Sequence, residues 1–109
     1  FIDKNPNTVQ ALANAIVRAN KWIQTAGPGE IINNVPESFL LGDRAVYIDA
    51  FLAAKNALSP DGLIPEKGAD TAFRALASID AEIAKATLDL SAVYTNEFVK
   101  KANAKYPKG

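Results

Sequence analysis

Histidine and cysteine are both absent from this 109-residue chain, so carboxylates and lysines are left to do any acid–base work near neutral pH. That absence removes imidazole bases, thiolate nucleophiles, disulfide staples and nearly every zinc site built from ordinary ligands. The carboxylates are not paired by local spacing. Asp80 and Glu82 fall on different faces of a helix and Asp43 and Asp49 stand six apart, so neither couple forms a glycosidase-type pair. Solvation at the surface accounts for them. Asp61-Gly62 opens like a calcium loop, but the oxygen ligands expected two and four residues onward are missing, and the segment reads as a turn. Gly27-Pro28-Gly29 is followed by no Lys-Ser/Thr pair and preceded by no strand, which makes it helix punctuation and not a phosphate cradle. Lys100, Lys101, Lys105 and Lys108 make a basic end that complements a helix C-terminus. Trp22, Tyr47 and Phe51 suit core packing better than a stacking pocket. No catalytic residue, cofactor site or metal ligand is assigned, and the ligand-contacting residues are unknown.

Bulk composition narrows the class. Twelve basic and twelve acidic residues cancel, so no large field draws in nucleic acid or anionic lipid, and no nucleic-acid partner is expected. At 49% hydrophobic and 22% charged the chain has the composition of a folded protein. A free-standing domain of this size buries about 65% of its unfolded surface. The start at Phe1 and the lack of methionine predict a piece of a longer polypeptide. Ala45 to Leu58 is the most apolar stretch; Asp49, Lys55 and Asn56 interrupt it, and it falls short of the roughly 20 residues a membrane span needs.

The elements that must position these residues read as helices. Asn5-Pro6 is a helix start, with the Asx side chain placed to accept orphan N–H groups and proline at the first helical position. The helix should run to about Ala26. Val9, Leu12, Ala13, Ile16 and Ile23 share one face, while Trp22 and several alanines widen the apolar arc to about half the circumference. Such an arc predicts two neighbours. Gly27 supplies a left-handed stop and Pro28 starts a short helix to Asn34. A helical turn over Pro36 to Leu41 leads to Asp43, which caps a helix to about Leu58 that is apolar nearly all round and so expected to be buried. Ser59-Pro60-Asp61-Gly62 is a turn. A helix over about Pro65 to Ser78 should bury Ala69, Ala72, Phe73, Leu76 and Ile79, with Asp80 to Ala86 continuing or restarting it. Leu88 and Leu90 lie in a connector, and Thr95 caps a last helix to about Ala104. No alternating β-branched run of strand length occurs. The fold class is all-α, an irregular array of five to six helices in one segment spanning residues 1–109.

The order of these landmarks carries a resemblance. Phe1-Ile2-Asp3-Lys4-Asn5-Pro6, then Val9, Ala15 and Ala19, then Pro36, then Asp61-Gly62-Leu63-Ile64 form the first part of the series. Ile83, Leu90, Tyr94-Thr95-Asn96 and Phe98-Val99-Lys100-Lys101-Ala102 complete it. The series resembles the C-terminal third of solute-binding proteins serving the nitrate/sulfonate/taurine class of ABC importers. It implies that the chain is the C-terminal piece of a two-lobed α/β type II periplasmic binding fold, located in the periplasm or outside the cell surface. The whole protein would be non-enzymatic, capture a small and often anionic solute by hinge closure, and deliver it to an ABC permease. The corresponding helices in that family pack on the lobe containing the N-terminus, which leaves one surface of the first helix facing a sheet outside residues 1–109. No cleft residue is transferred, because Arg44 and Arg74, the two candidates for an anion, belong to no matched motif and read as surface residues.

Two other classes stand beside this one. A self-contained helical interaction module would dock a partner helix on the wide apolar face. An enzyme on the same fold is the third, since relatives in pyrimidine synthesis use histidine chemistry, for which residues 1–109 supply no histidine. A fragment with its lobe-facing apolar surface uncovered has two options, partial disorder or burial of the patch against a copy of itself, and self-association is the expectation.

Overall fold

Proline at position 6 opens the first helix because its fixed φ is already helical and its missing N–H would have had no partner there. The computed structural model describes residues 1–40 and 42–107. In it α1 runs Pro6–Thr25. Asn5 holds the N-cap position but does not cap: its Nδ2 donates to the Phe1 carbonyl at 3.0 Å, folding the first residues into a turn. The expected Asx cap is thus replaced by a bond pointing backward along the chain. Gly27 also departs from expectation, with φ −80° in place of a left-handed stop. Its N–H donates to the Glu30 carboxylate at 2.9 Å, which starts α2 (Pro28–Asn34) from outside the helix.

A 3₁₀ turn over Glu37–Phe39 occupies the place of the helical turn expected from Pro36; Leu41 lies outside the described residues. Asp43 caps α3 (Arg44–Lys55), its Oδ1 accepting from the N–H groups of Ala45 and Val46 at 2.9 and 3.1 Å. The helix stops before Leu58, because the Ala57 and Leu58 N–H groups turn to the Ala54 and Lys55 carbonyls in tighter three-residue bonds. Pro65 precedes α4 (Glu66–Ala77), and Asp80 caps a separate α5 (Ala81–Lys85). A second 3₁₀ turn over Leu90–Ala92 leads to α6 (Glu97–Lys105). No strand occurs among the described residues, and the chain is an all-α array of six α-helices there.

These helices do not close on one another. α1 packs along α6, α4 packs on α5, and α2 touches α3 only lightly. The buried apolar side chains are Val17, Ala26, Ile31, Leu40 and Ala102. Val17, 1% exposed, lies just off the stripe read from the sequence, whereas Leu12 and Ile16, on that stripe, are 58% and 59% exposed. The side of α1 that meets α6 is therefore only one flank of its apolar arc. α3 buries no residue at all despite being apolar nearly all round. On α4, Phe73 and Ala69 are half-buried while Ala72 and Leu76 are exposed, and Ile79, just past its end, is 84% exposed.

The radius of gyration is 17.5 Å, against about 13 Å for a compact domain of this length. The accessible surface is 8078 Å², against about 5,800 Å² for a compact monomer of this mass, an excess of roughly 2,200 Å². The extents of 48 × 35 × 22 Å describe an open shell of helices. Helix formation here is local; burial of the apolar faces is incomplete.

Candidate functional site

The turn after α3 is built by its own residues. The Ser59 hydroxyl accepts from Gly62 N–H at 2.8 Å, and the Asp61 carboxylate accepts from Leu63 N–H at 3.0 Å, so both groups serve the loop backbone. Gly62 adopts φ +74°, a region side chains rarely enter. A Cβ placed there would meet Val17 at 3.4 Å and Val99 at 3.5 Å, so the turn sits directly against both α1 and α6.

Side chains from α6 and its N-cap position then hold the turn by its main chain. Asn96 Oδ1 accepts from Ile64 N–H at 3.0 Å while its Nδ2 donates to the Ile64 carbonyl at 2.8 Å. Asn103 Nδ2 donates to the Asp61 carbonyl at 2.8 Å. Across the same seam Gln10 Nε2 donates to the Phe98 carbonyl at 2.8 Å, and Lys21 Nζ donates to the Tyr106 carbonyl. Asn96 occupies the N-cap position of α6 with its side chain committed elsewhere, so Thr95 Oγ1 accepts from Glu97 N–H at 3.2 Å in its stead. Thr95 does contribute to the start of the helix, from one residue further out than a simple cap.

Between α1, this turn and the 94–99 segment runs an apolar groove of about 460 Å³. Ile2, Leu12, Ile16, Ile64, Tyr94 and Phe98 are among its walls. It contains no carboxylate, amine or guanidinium, so it offers apolar contact and no acid–base chemistry. A second concavity of about 600 Å³ is lined by the turn and the start of α6, with Asn56, Ser59, Asp61, Asn96 and Lys100 as its polar members. Lys100 is its one cation, and Asn96 and Asp61 already serve the backbone there.

The sequence candidates scatter over the shell. Arg44 pairs with Glu37 at 3.1 Å and Arg74 with Asp70 at 3.9 Å, both at the surface and on different helices. Trp22 lies beside Arg18 on α1, in a shallow recess that includes neither Tyr47 nor Phe51. Among the basic residues, Lys101 pairs with Glu97 and Lys105 stands 5.4 Å from the centre of the Tyr106 ring, which Arg18 approaches from α1 at 5.2 Å. Lys108 lies outside the described residues. Two carboxyls are held below their ordinary range by hydrogen bonds: Asp89 by the Ser91 hydroxyl and N–H, and Glu97 by the Lys101 ammonium. Both are exposed and belong to helix ends. Among the described residues no three metal-ligating side chains lie together, and no helix is long and apolar enough to cross a membrane.

A solved structure of a protein from Bordetella bronchiseptica RB50 resembles this geometry, with a TM-score of 0.88 and 54% identity over 99% of the chain. The chain spans 34% of that protein's length. No family model and no curated protein matches. Sequence reading identified the D-G-L-I turn and the Y-T-N segment separately; it had no signal that they touch. The pairing of Asn96 with Ile64 spans 32 positions, and nothing in either local pattern announces it.

Proposed function

We propose that the chain is a helical part of a solute-binding subunit of an ABC importer, acting outside the cytoplasm as part of a larger protein and not as an enzyme. The observation that carries this reading is the incomplete closure of the shell, with roughly 2,200 Å² more surface than a compact monomer, in a chain whose solved neighbour is about three times as long. The succession of motifs from Phe1 to Ala102 supports the same reading through its resemblance to the nitrate/sulfonate/taurine class. In that setting the Asp61–Ile64 turn and α6 are scaffold, and the solute lies in a cleft formed mainly by other parts of the subunit. The whole protein then captures a small solute, often anionic, by lobe closure and presents it to a membrane permease.

Thermal-shift titration of the full-length gene product against nitrate, taurine, alkylsulfonates, bicarbonate and a pyrimidine precursor tests this. A ligand at 100 times its Kd adds about 2.7 kcal/mol of stability, enough to move Tm by several degrees. The expected outcome is a shift with one of these solutes and none for residues 1–109 alone. A shift for residues 1–109 alone, or none for the full-length protein with any of them, overturns the reading. The exposed face of Leu12 and Ile16 favours a second reading, a helical interaction module. A gene product ending near the length of this chain would select it.

A further inference from the structure

The chain is neutral, but its charges are unevenly placed. α1 contains Arg18 and Lys21 and no carboxylate, and α6 contains three lysines against Glu97 alone, whereas residues 26–96 hold ten carboxylates and five basic side chains. The cancellation read from composition is therefore global and not local. α1 and α6 pack along each other in the same direction, since Gln10 reaches Phe98 near their starts and Lys21 reaches the Tyr106 carbonyl near their ends. Their C-terminal ends lie together.

Three cations converge on one residue at that end. The Arg18 guanidinium stands 5.2 Å and the Lys105 ammonium 5.4 Å from the centre of the Tyr106 ring, and Lys21 donates to the carbonyl of the same residue. Among the described residues no ion pair includes Arg18, Lys21 or Lys105. Lys21 answers a helix-end carbonyl, whereas an aromatic ring attracts a cation without cancelling its charge, so Arg18 and Lys105 keep theirs. Both are exposed. Arg18, six positions from Leu12 and two from Ile16, falls on another side of α1 from that exposed apolar pair. Covering unpaired cations with an apolar layer is unfavourable, so this flank stays in water when the Leu12 side is covered by other parts of a longer protein.

We infer that this end of the α1–α6 pair is a docking surface for the anionic headgroups of a lipid membrane. A headgroup layer presents many phosphates in one plane, which suits cations spread around a single side chain, while a protein ligand would need sockets. The relief beside Arg18 is only the shallow recess against Trp22. Tryptophan and tyrosine beside lysine and arginine are also the mixture that settles at membrane–water interfaces. Each cation at such a surface is worth about fivefold in affinity, so three give about a hundredfold, and the contact is reversible and salt-sensitive. It concerns headgroup phosphate and not solute, so it stands apart from the transport reading.

Cosedimentation of the full-length gene product with vesicles tests this, comparing phosphatidylcholine alone with phosphatidylcholine containing about a third phosphatidylglycerol. Binding is expected only with phosphatidylglycerol and is expected to fall in high salt. Arg18→Gln with Lys105→Gln should weaken it about twentyfold, with helicity by circular dichroism unchanged because both side chains are exposed. Arg18→Lys with Lys105→Arg should retain it. Arg44→Gln with Arg74→Gln removes the same charge from sites already paired with carboxylates and should also retain it. Binding that ignores phosphatidylglycerol or salt, or that is equally reduced by the two glutamine pairs, overturns the inference. So does binding to poly-glutamate without binding to vesicles, which would assign the surface to an acidic polypeptide.

Discussion

Asn96 engages both hydrogen-bonding groups of Ile64, accepting from its N–H at 3.0 Å and donating to its carbonyl at 2.8 Å. A side-chain amide is the group that can do both at once in this geometry, because it carries an acceptor and a donor side by side. The bond joins the end of the 59–64 turn to the start of α6 and leaves helix capping to Thr95. Asn96→Ser isolates this bond: serine is too short to reach Ile64 and is tolerated at an N-cap position, while Thr95 continues to cap α6. Amide hydrogen exchange should show faster exchange at Ile64 with the first turn of α6 unchanged, and a loss of about 1–2 kcal/mol in protection for the lost pair. Equal protection at Ile64 in both proteins would remove Asn96 from this role.

Two glycines should respond to alanine with opposite signs. Gly62 holds φ +74°, where a Cβ costs about 1–2 kcal/mol in backbone strain, while its contacts of 3.4 and 3.5 Å to Val17 and Val99 are of ordinary length. Gly29 lies in the first turn of α2 with nothing within 4 Å of its missing Cβ. Gly62→Ala is expected to loosen the α1–turn–α6 seam, and Gly29→Ala to leave α2 unchanged or firmer by up to about 1 kcal/mol. Exchange protection in α6 and α2, respectively, reads the two effects.

Val17 and Leu12 test which side of α1 is the inside. Val17→Ala empties a site that is 1% exposed and should cost about 2 kcal/mol in the protection of α1 and α6. Leu12→Ala, at a position 58% exposed, should cost less than about half of that in dilute solution, where each chain is alone. The reverse order would mean that α1 is rotated about its axis from the orientation described.

The two shifted carboxyls set a pH dependence with a definite sign. Both have folded-state pKa values below their ordinary ones, so the stabilisation they supply is present above the ordinary carboxylate range and is lost as pH falls through the depressed value. Lys101→Met should raise the titration midpoint of Glu97, and Ser91→Ala that of Asp89, each followed by NMR of the side-chain carboxyl. A midpoint that stays depressed in either variant would assign the shift to another neighbour.

Local chemistry was legible from the residues alone because helix starts depend on a few neighbours. Pro6, Pro28 and Pro65 mark where α1, α2 and α4 begin, and Asp43 caps α3 through N–H groups two and three residues on; that Asp80 caps a separate α5 in the same way, and does not continue α4, came from the structure. The absence of strand patterning likewise led to the all-α assignment. The identity of the covered flank was not legible. Periodicity marks an apolar arc, but α6 covers only its Val17 side, and which side is covered depends on where a helix some 80 positions away comes to rest. Tertiary structure also decided that Asn96, at the N-cap position of α6, spends its amide on Ile64, 32 positions away, whereas Asn5 is turned from its cap by a local bond to the Phe1 carbonyl. The apolar character of α1 and α3 was thus settled residue by residue, whereas their partial exposure follows from where the other helices come to rest, α6 on one flank of α1 and α2 only lightly on α3.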